Sequence, residues 1–400
     1  MLVVGAGPAG SACAQWLARA GVDVVLVDQH VFPRDKICGD GLIADAHAAL
    51  RKLGVYDAVA AQAQTVRHLG CIGPRGARVD VPGSLSVLPR RVLDDIVCRA
   101  AVAAGARLHA PLRFDAPLFD GERVVGARLK SADGTHTIRA GWVVLATGAV
   151  PQALIAAGLC RRRAPSAIAL RGYVKNDAMS GRIEAMEVVW HRKLRRGYGW
   201  IFPCRDGVFN IGVGLAHSHA ASDDGHGTMG HVNLRELFKV FGEAYAPARS
   251  LLDGGRLLGD LKGAPLRCSL AGAAYTRAGL LATGEAIGST YAFTGEGIGK
   301  AMETGLLAAE ALLHARTSGE DDAATCSRYE TAVLALKPRF DLYERANRIN
   351  DHPWLADLLI WRANRSPRIL KRMCGVLEET NNPGNLLSVR GITRLFLPIR

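Results

Sequence analysis

The chain has 400 residues, 49% of them hydrophobic and 22% charged, which is enough to bury a sizeable core and suggests two or three domains. Its net charge of +13 comes without an aromatic-studded basic strand or a zinc finger, which argues against a nucleic-acid-binding module. No run of about eighteen apolar residues offers a membrane span, and no signal peptide precedes an apolar strand that starts at residue 2, so a cytoplasmic protein is expected.

The first elements carry the strongest pattern. Val3-Val4 runs into Gly5-Ala6-Gly7-Pro8-Ala9-Gly10, a helical stretch from Ser11 to Ala20, and a second apolar run, Val22 to Val27, that ends at Asp28. Strand, glycine-rich turn, helix, strand and acid in that order predict a dinucleotide-binding βαβ unit. Gly5 permits the tight turn, Gly7 lets backbone N–H groups approach a pyrophosphate, and Gly10 lets helix and strand pack closely. Asp28 can accept from a ribose hydroxyl.

A polar loop, Gln29 to Gly41, then leads to a helix near Ala44 to Leu53 and to short strands within Val66 to Val81. Arg90 to Ala104 has one apolar face at Val92, Leu93, Ile96, Val97 and Ala101 and predicts a helix. Leu112 to Arg139 predicts a β-meander turning at Asp120-Gly121 and Asp133-Gly134, before a buried strand, Trp142 to Gly148. Alternation from Ile168 to Leu215 predicts an antiparallel sheet with strands at Glu187 to Trp190, Tyr198 to Phe202 and Val208 to Val213. His217, His219, His226 and His231 belong to a polar loop and are not expected to bind metal. A helix is expected at Val232 to Tyr245, a strand at Gly279 to Gly284, a helix from Gly295 to about Ala315, and helices thereafter with breaks at Pro338, Pro353 and Pro367.

The nine cysteines show no C-x-x-C spacing, which speaks against structural zinc and disulfides. Basic residues gather at Arg161-Arg162-Arg163, at Arg192-Lys193 with Arg195-Arg196, and at Arg362, Arg365, Arg368, Lys371 and Arg372. Cofactor phosphates, an anionic membrane surface or plain solvent can each account for them. Beside the last group, Trp354 to Trp361 is apolar and aromatic. It reads either as an interfacial helix or as a structural cap in which Leu355, Leu358, Leu359 and Trp361 are core.

Two later patches join the first. Thr283-Gly284-Glu285-Ala286 places an acid at a strand end, and Thr294-Gly295-Glu296-Gly297-Ile298 opens a helix whose N-terminus suits a developing anion. With them, the chain resembles the geranylgeranyl reductase family, within the FAD-dependent oxidoreductases of the para-hydroxybenzoate hydroxylase fold. The resemblance rests on the opening glycine motif, on Phe32-Pro33-Arg34-x-Lys36-x-Cys38-Gly39-x-Gly41, on Tyr198-x-Trp200-x-Phe202-Pro203 with Gly212-x-Gly214, and on the Gly284 and Thr294 patches.

That resemblance implies FAD contacts at Gly5, Gly7, Ala9, Gly10, Asp28, Lys36, Cys38, Gly39, Arg90, Gly148, Gly284, Glu285, Gly295, Gly297 and Ile298. It implies a substrate tunnel at Tyr198, Trp200, Phe202 and Pro203, with Cys38, Tyr198 and Trp200 at the reacting centre. Read without the family, Tyr198, Trp200 and Phe202 share one strand face and also suit core packing. Expected partners are FAD, an apolar or lipid substrate and an electron donor, either NAD(P)H or a ferredoxin-like protein, with peripheral contact to the inner face of the membrane. Water, Cys38 and Tyr198 all qualify as proton donor.

Departures from the family pattern separate the rivals. Glu285 replaces an Asp and Ala292 a Pro. Ala146-Thr147-Gly148 replaces Ala-Asp-Gly, and Leu154 stands where an arginine is usual. The altered Asp-Gly motif weakens the runner-up, a monooxygenase. Halogenases need a lysine beyond the substrate loop, and none occurs between Lys52 and Lys130. A flavin-free prenyl-binding protein would not keep the intact glycine motif and Asp28. The expected fold is α/β with α+β elements: a Rossmann-like FAD-binding domain (1–65, 89–165 and 266–320), an antiparallel-sheet substrate domain (66–88 and 166–265) and a helical C-terminal cap (321–400). The expected activity is FAD-dependent reduction of C=C bonds in an isoprenoid or similar apolar chain.

Overall fold

The computed structural model describes residues 1–161, 164–194, 196–216 and 232–380. Arg162, Arg163 and Arg195 of the basic patches, the loop histidines 217, 219, 226 and 231, and the end of the helical C-terminal region lie outside the described residues.

The chain opens with β1 (Leu2–Val4), α1 (Pro8–Arg19), β2 (Val25–Val27), β3 (Gly41–Leu42), α2 (Ala44–Lys52) and α3 (Tyr56–Ala60). The strands β4 (Gln64–Ile72) and β5 (Arg78–Val87) precede α4 (Arg90–Ala103) and β6 (Arg107–His109). A meander of β7 (Arg113–Asp120), β8 (Arg123–Ser131) and β9 (Gly134–Arg139) leads to β10 (Val143–Leu145) and α5 (Gln152–Ala156). Next come β11 (Ala167–Lys175), β12 (Met186–Val189), β13 (Gly197–Pro203), β14 (Val208–Ala216), α6 (Leu234–Ala244) and α7 (Ala246–Asp253). Four short strands, β15 (Arg256–Leu257), β16 (Lys262–Leu266), β17 (Thr276–Arg277) and β18 (Leu280–Ala282), precede the long α8 (Ile298–Ser318). The described chain closes with α9 (Asp322–Leu334), α10 (Lys337–Ala346), α11 (Arg348–Asp351), α12 (Trp354–Ala363) and α13 (Pro367–Leu377).

Three sheets organise these elements. The first has the order β17-β18-β10-β1-β2-β6, parallel except at β17. Its central strands are fully apolar, as a sheet covered on both faces requires, and Leu2, Val3, Val143, Val144, Leu280 and Leu281 have no exposed surface. The second has the order β15-β11-β14-β13-β12-β4-β5-β3, with β16 also pairing β11. It is antiparallel except where β12 runs parallel to β4, Met186 facing Leu69 and Val189 facing Ile72. Leu42, from the loop region after the opening βαβ unit, pairs with Ser86 in this second sheet. The third sheet is the meander, turning where the two Asp-Gly pairs stand.

The region read as short strands is a pair of long ones, interrupted by a register shift between Val66 and His68. Pro338 and Pro367 sit in the first turns of α10 and α13, where a missing N–H costs nothing, so these prolines begin helices as well as break them. Leu154, at the position of the expected arginine, is fully buried in the core beside the first sheet. Among the described residues, no helix is long and apolar enough to cross a membrane.

Candidate active site

Close packing of α1 against α8 builds one end of the site. A Cβ on Gly10 would lie 1.8 Å from the Gly5 carbonyl oxygen, so any side chain there would push the helix off its strand. Gly284 and Gly305 press the second patch onto the first: their Cβ atoms would meet the Ala9 Cβ at 2.6 Å and the Ala9 carbonyl oxygen at 2.2 Å. Gly7 differs. A Cβ there would meet only the end of the Arg34 side chain, at 3.4 Å, so the space over it opens into a cavity.

That cavity, of about 930 Å³, reaches from Gly5, Gly7 and Ala9 past Asp28, Cys38 and Gly39 to the sheet face bearing Tyr198, Trp200 and Phe202. Among the described residues no side chain caps the N-termini of α1 or α8, whose first residues both line the space, so backbone N–H groups face it from two sides. Asp28 is 6% exposed and accepts from the backbone N–H of Ala6 at 2.8 Å and of His30 at 2.9 Å. A carboxylate has about four acceptor sites, which leaves capacity for a hydroxyl. Among the described residues the buried Thr147 hydroxyl finds no partner; it lies in the same wall beside Gly148, over which a Cβ would meet nothing within 4 Å. Open glycine backbone, a spare acceptor, an unpartnered hydroxyl and two helix N-termini fit a bound FAD.

Lys36 and Arg90 line the same cavity, each also held by a carboxylate. Lys36 pairs with Glu285 at 2.9 Å, closing the second motif onto the fourth across 249 residues. Arg90 is buried and held by Asp94 through two hydrogen bonds of 2.6 and 2.8 Å. Burial opposes its charge, but Asp94 and Cys38 outweigh that and raise its pKa. Asp94, with no exposed surface, also receives Arg34 at 2.9 Å, so Arg90 stands in the wall as half of a structural pair. Gly295, Gly297 and Ile298 line the cavity at the start of α8, whereas Gly10 and Gly284 are packing positions behind it.

The aromatic face is a ladder. Tyr198, Trp200 and Phe202 project to one side of β13, their rings spaced 6.3 and 6.4 Å. Pro203 is out of phase, does not line the cavity and corrects the expectation that it forms part of the tunnel. Gly212 stands opposite Trp200 on β14, where a Cβ would lie 2.2 Å from the indole, so that glycine makes room for the ring. The Trp200 indole donates to Asn210 at 2.9 Å, and Asn210 donates to the Cys38 carbonyl at 2.8 Å and to Asp40 at 2.7 Å. Asp40 is wholly buried, and burial pushes its pKa up to about 6 against the hydrogen bonds from Tyr173 and Asn210. Asn210 and Asp40 escaped the reading of the sequence, although an acid in the glycine-rich segment after Cys38 was a visible signal.

The Tyr198 hydroxyl donates to the Thr294 carbonyl at 2.7 Å, and burial raises its pKa, so it stays protonated and engaged. Cys38 lies partly buried in the wall beside Gly39. The far end is apolar: Trp190 stacks on Phe293 at 6.2 Å, with Ile349, Leu359, Ile360 and Met373 of the C-terminal helices around it.

Residues 1–193 match the FAD binding domain family. A menaquinone reductase from Mycolicibacterium smegmatis is 34% identical over 332 residues, spanning 78% of this chain and 75% of that protein. Digeranylgeranylglycerophospholipid reductase 1 from Methanopyrus kandleri is 28% identical over 334 residues, spanning 82% and 84%. A solved geranylgeranyl bacteriochlorophyll reductase-like protein from Thermoplasma acidophilum has the same fold, with a TM-score of 0.73 at 21% identity over 99% of this chain and 94% of that one. Likeness over so much of the sequence, on a chain whose own glycines, acid and helix ends fit the cofactor, has one consequence: the chain belongs to the geranylgeranyl reductase-like family of FAD-dependent oxidoreductases.

Proposed function

We propose that this oxidoreductase reduces carbon–carbon double bonds in a long apolar chain of isoprenoid type. One observation carries the reading: a single cavity joins the dinucleotide cradle at Gly7 and Asp28 to a compartment walled by Tyr198, Trp200, Phe293, Leu359 and Ile360. The relatives' names, with menaquinone and digeranylgeranylglycerophospholipid as their objects, support the same substrate class. Bound FAD, when reduced, supplies two electrons and one hydrogen as hydride.

The protein's part is binding, alignment and exclusion of water. Backbone N–H groups at the starts of α1 and α8 stabilise negative charge on the cofactor, and Asp28 anchors its ribose. An isolated alkene accepts hydride poorly, so the rigid aromatic ladder must hold one bond close to the cofactor in a dry setting. Trp200, fixed by Asn210, and Tyr198, fixed by Thr294, leave little freedom for that. Electrons enter from NAD(P)H or from a ferredoxin-like protein.

The substrate comes from a bilayer. Helices α12 and α13 turn Leu359, Ile360, Met373 and Leu377 toward the cavity. The opposite side of α12 exposes Trp354 and Trp361 to 56% and 44%, near the exposed Arg365, Arg368, Lys371 and Arg372. Such a face suits the interface of an anionic membrane. The test is anaerobic: a polyprenyl chain mixed with chemically reduced enzyme reoxidises the flavin in a single turnover, seen as return of the visible absorbance. A flavin that stays reduced in the presence of every prenyl chain tried would refute the reading.

A further inference from the structure

Beside the cavity lies a cluster of ionisable groups that neither cofactor nor substrate assignments use. Glu296 is partly buried in the cavity wall between Gly295 and Gly297, just before α8. Lys300, one turn on and only 3% exposed, meets Glu303 at 2.7 Å, Glu379 at 2.8 Å and Asp45 of α2 at 3.8 Å. Glu379, after α13, also accepts from the Tyr291 hydroxyl at 2.9 Å and from Arg339 of α10 at 2.7 Å. Glu303 and Arg339 reach outward, their side chains 38% and 48% exposed. Tyr198 of β13 and Tyr343 of α10 lie close enough to feel the charge of Glu296.

Four carboxyls, those of Asp45, Glu296, Glu303 and Glu379, thus share two cations, Lys300 and Arg339. Where partly enclosed carboxyls outnumber cations, one of them tends to keep its proton toward neutrality. Among the described residues, Glu296 is the one of the four with no ion pair, and it lines the cavity. Burial first, then Asp45 and Glu379, push its pKa up to about 8, with the Thr294 side chain and then Lys300 opposing. Asp45 follows at about 6, again chiefly through burial. Lys300 stays charged, since Asp45, Glu303 and Glu379 outweigh the burial that opposes its charge.

We propose that Glu296 is the acid that protonates the substrate, resupplied from solvent through Asp45, Lys300, Glu379 and the exposed Glu303. The inference rests on the double-bond reading above. Hydride from the reduced cofactor forms one C–H bond and carries both electrons. The Glu296 proton forms the second C–H bond as the π bond breaks, and Glu296 is left as a carboxylate that regains a proton from the cluster. Only the protonated form acts, so the reduction slows as pH rises through about 8.

Glu296→Gln and Glu296→Asp in the FAD-loaded enzyme test this. Infrared titration, independent of turnover, should show a protonated-carboxyl band in wild type that fades with a midpoint near pH 8 and is missing from E296Q. Single-turnover reduction by E296Q, at unchanged flavin content, should be slower by roughly 10²–10⁴ and flat with pH, with E296D partly restoring rate and profile. E296Q reducing at the wild-type rate with the wild-type pH profile would overturn the proposal, as would an unchanged infrared band. A wild-type enzyme that reduces no alkene would sink the double-bond reading and this inference with it, whereas a normally active E296Q would sink the inference alone.

Discussion

Gly7→Val separates binding the cofactor from folding. The backbone at Gly7 is extended, at φ −72° and ψ −173°, which valine adopts without strain. A Cβ there meets only the mobile end of Arg34 at 3.4 Å, so the folded protein should lose less than about 1 kcal/mol. The added methyls instead fill the space that phosphate oxygens need above the first N–H groups of α1. Losing about two charge-assisted hydrogen bonds, at roughly 1.5–3 kcal/mol each, removes about 3–6 kcal/mol of binding. That weakens the FAD Kd by roughly 10²–10⁴. Apoprotein titrated with FAD gives the Kd, absorbance of purified protein gives occupancy, and thermal unfolding of the apoprotein gives the fold. Gly10→Ala is the contrasting control: its Cβ would lie 1.8 Å from a backbone oxygen, so it should destabilise the apoprotein itself. A yellow, fully loaded Gly7→Val protein with the wild-type Kd would refute the reasoning.

Asp94→Ala would strand Arg90, which is 4% exposed, and free Arg34, so urea unfolding should show a loss of about 3–5 kcal/mol; a change within 1 kcal/mol would mean the pair is not structural. Gly212→Ala drives a Cβ within 2.2 Å of the Trp200 indole and 2.5 Å of the Leu170 carbonyl oxygen, costing about 1–3 kcal/mol and shifting tryptophan fluorescence; wild-type stability and emission would count against the ladder as drawn. Reversing Arg368, Lys371 and Arg372 to Glu removes roughly 1 kcal/mol of membrane attraction per cation, and more by repulsion. Wild type should sediment with anionic liposomes at low salt while the variant stays in the supernatant; equal recovery of both in the supernatant would leave the outer face of α12 and α13 without that role.

The sequence spoke most clearly where one local rule decides the structure. Gly5, Gly7, Gly10 and Asp28 announced β1, α1 and β2, because only that turn needs glycine at those spacings. Asp120-Gly121 and Asp133-Gly134 marked the meander turns, and the apolar stripe of Val92, Leu93, Ile96 and Val97 marked α4. Long-range choices were silent. Nothing local tells β12 to run parallel to β4, since that pairing joins residues more than a hundred positions apart. Nothing local pairs Lys36 with Glu285, 249 residues away, although both Lys36 and Arg90 line the cavity where the motifs place them. The helix α7 was missed, its short stretch lying against Pro247 and a polar flank. Glu296 was read past because the glycines around it drew attention to the backbone; its surroundings come from α2, α10 and the segment after α13, far away in sequence.

The most direct measurement of the central claim is the mass of the product formed when reduced enzyme meets a polyprenyl substrate under nitrogen and then, separately, under air. The product should gain two hydrogens under nitrogen and incorporate no oxygen under air. A product that gains one oxygen atom under air, with the substrate untouched under nitrogen, would contradict that claim and make the protein a monooxygenase.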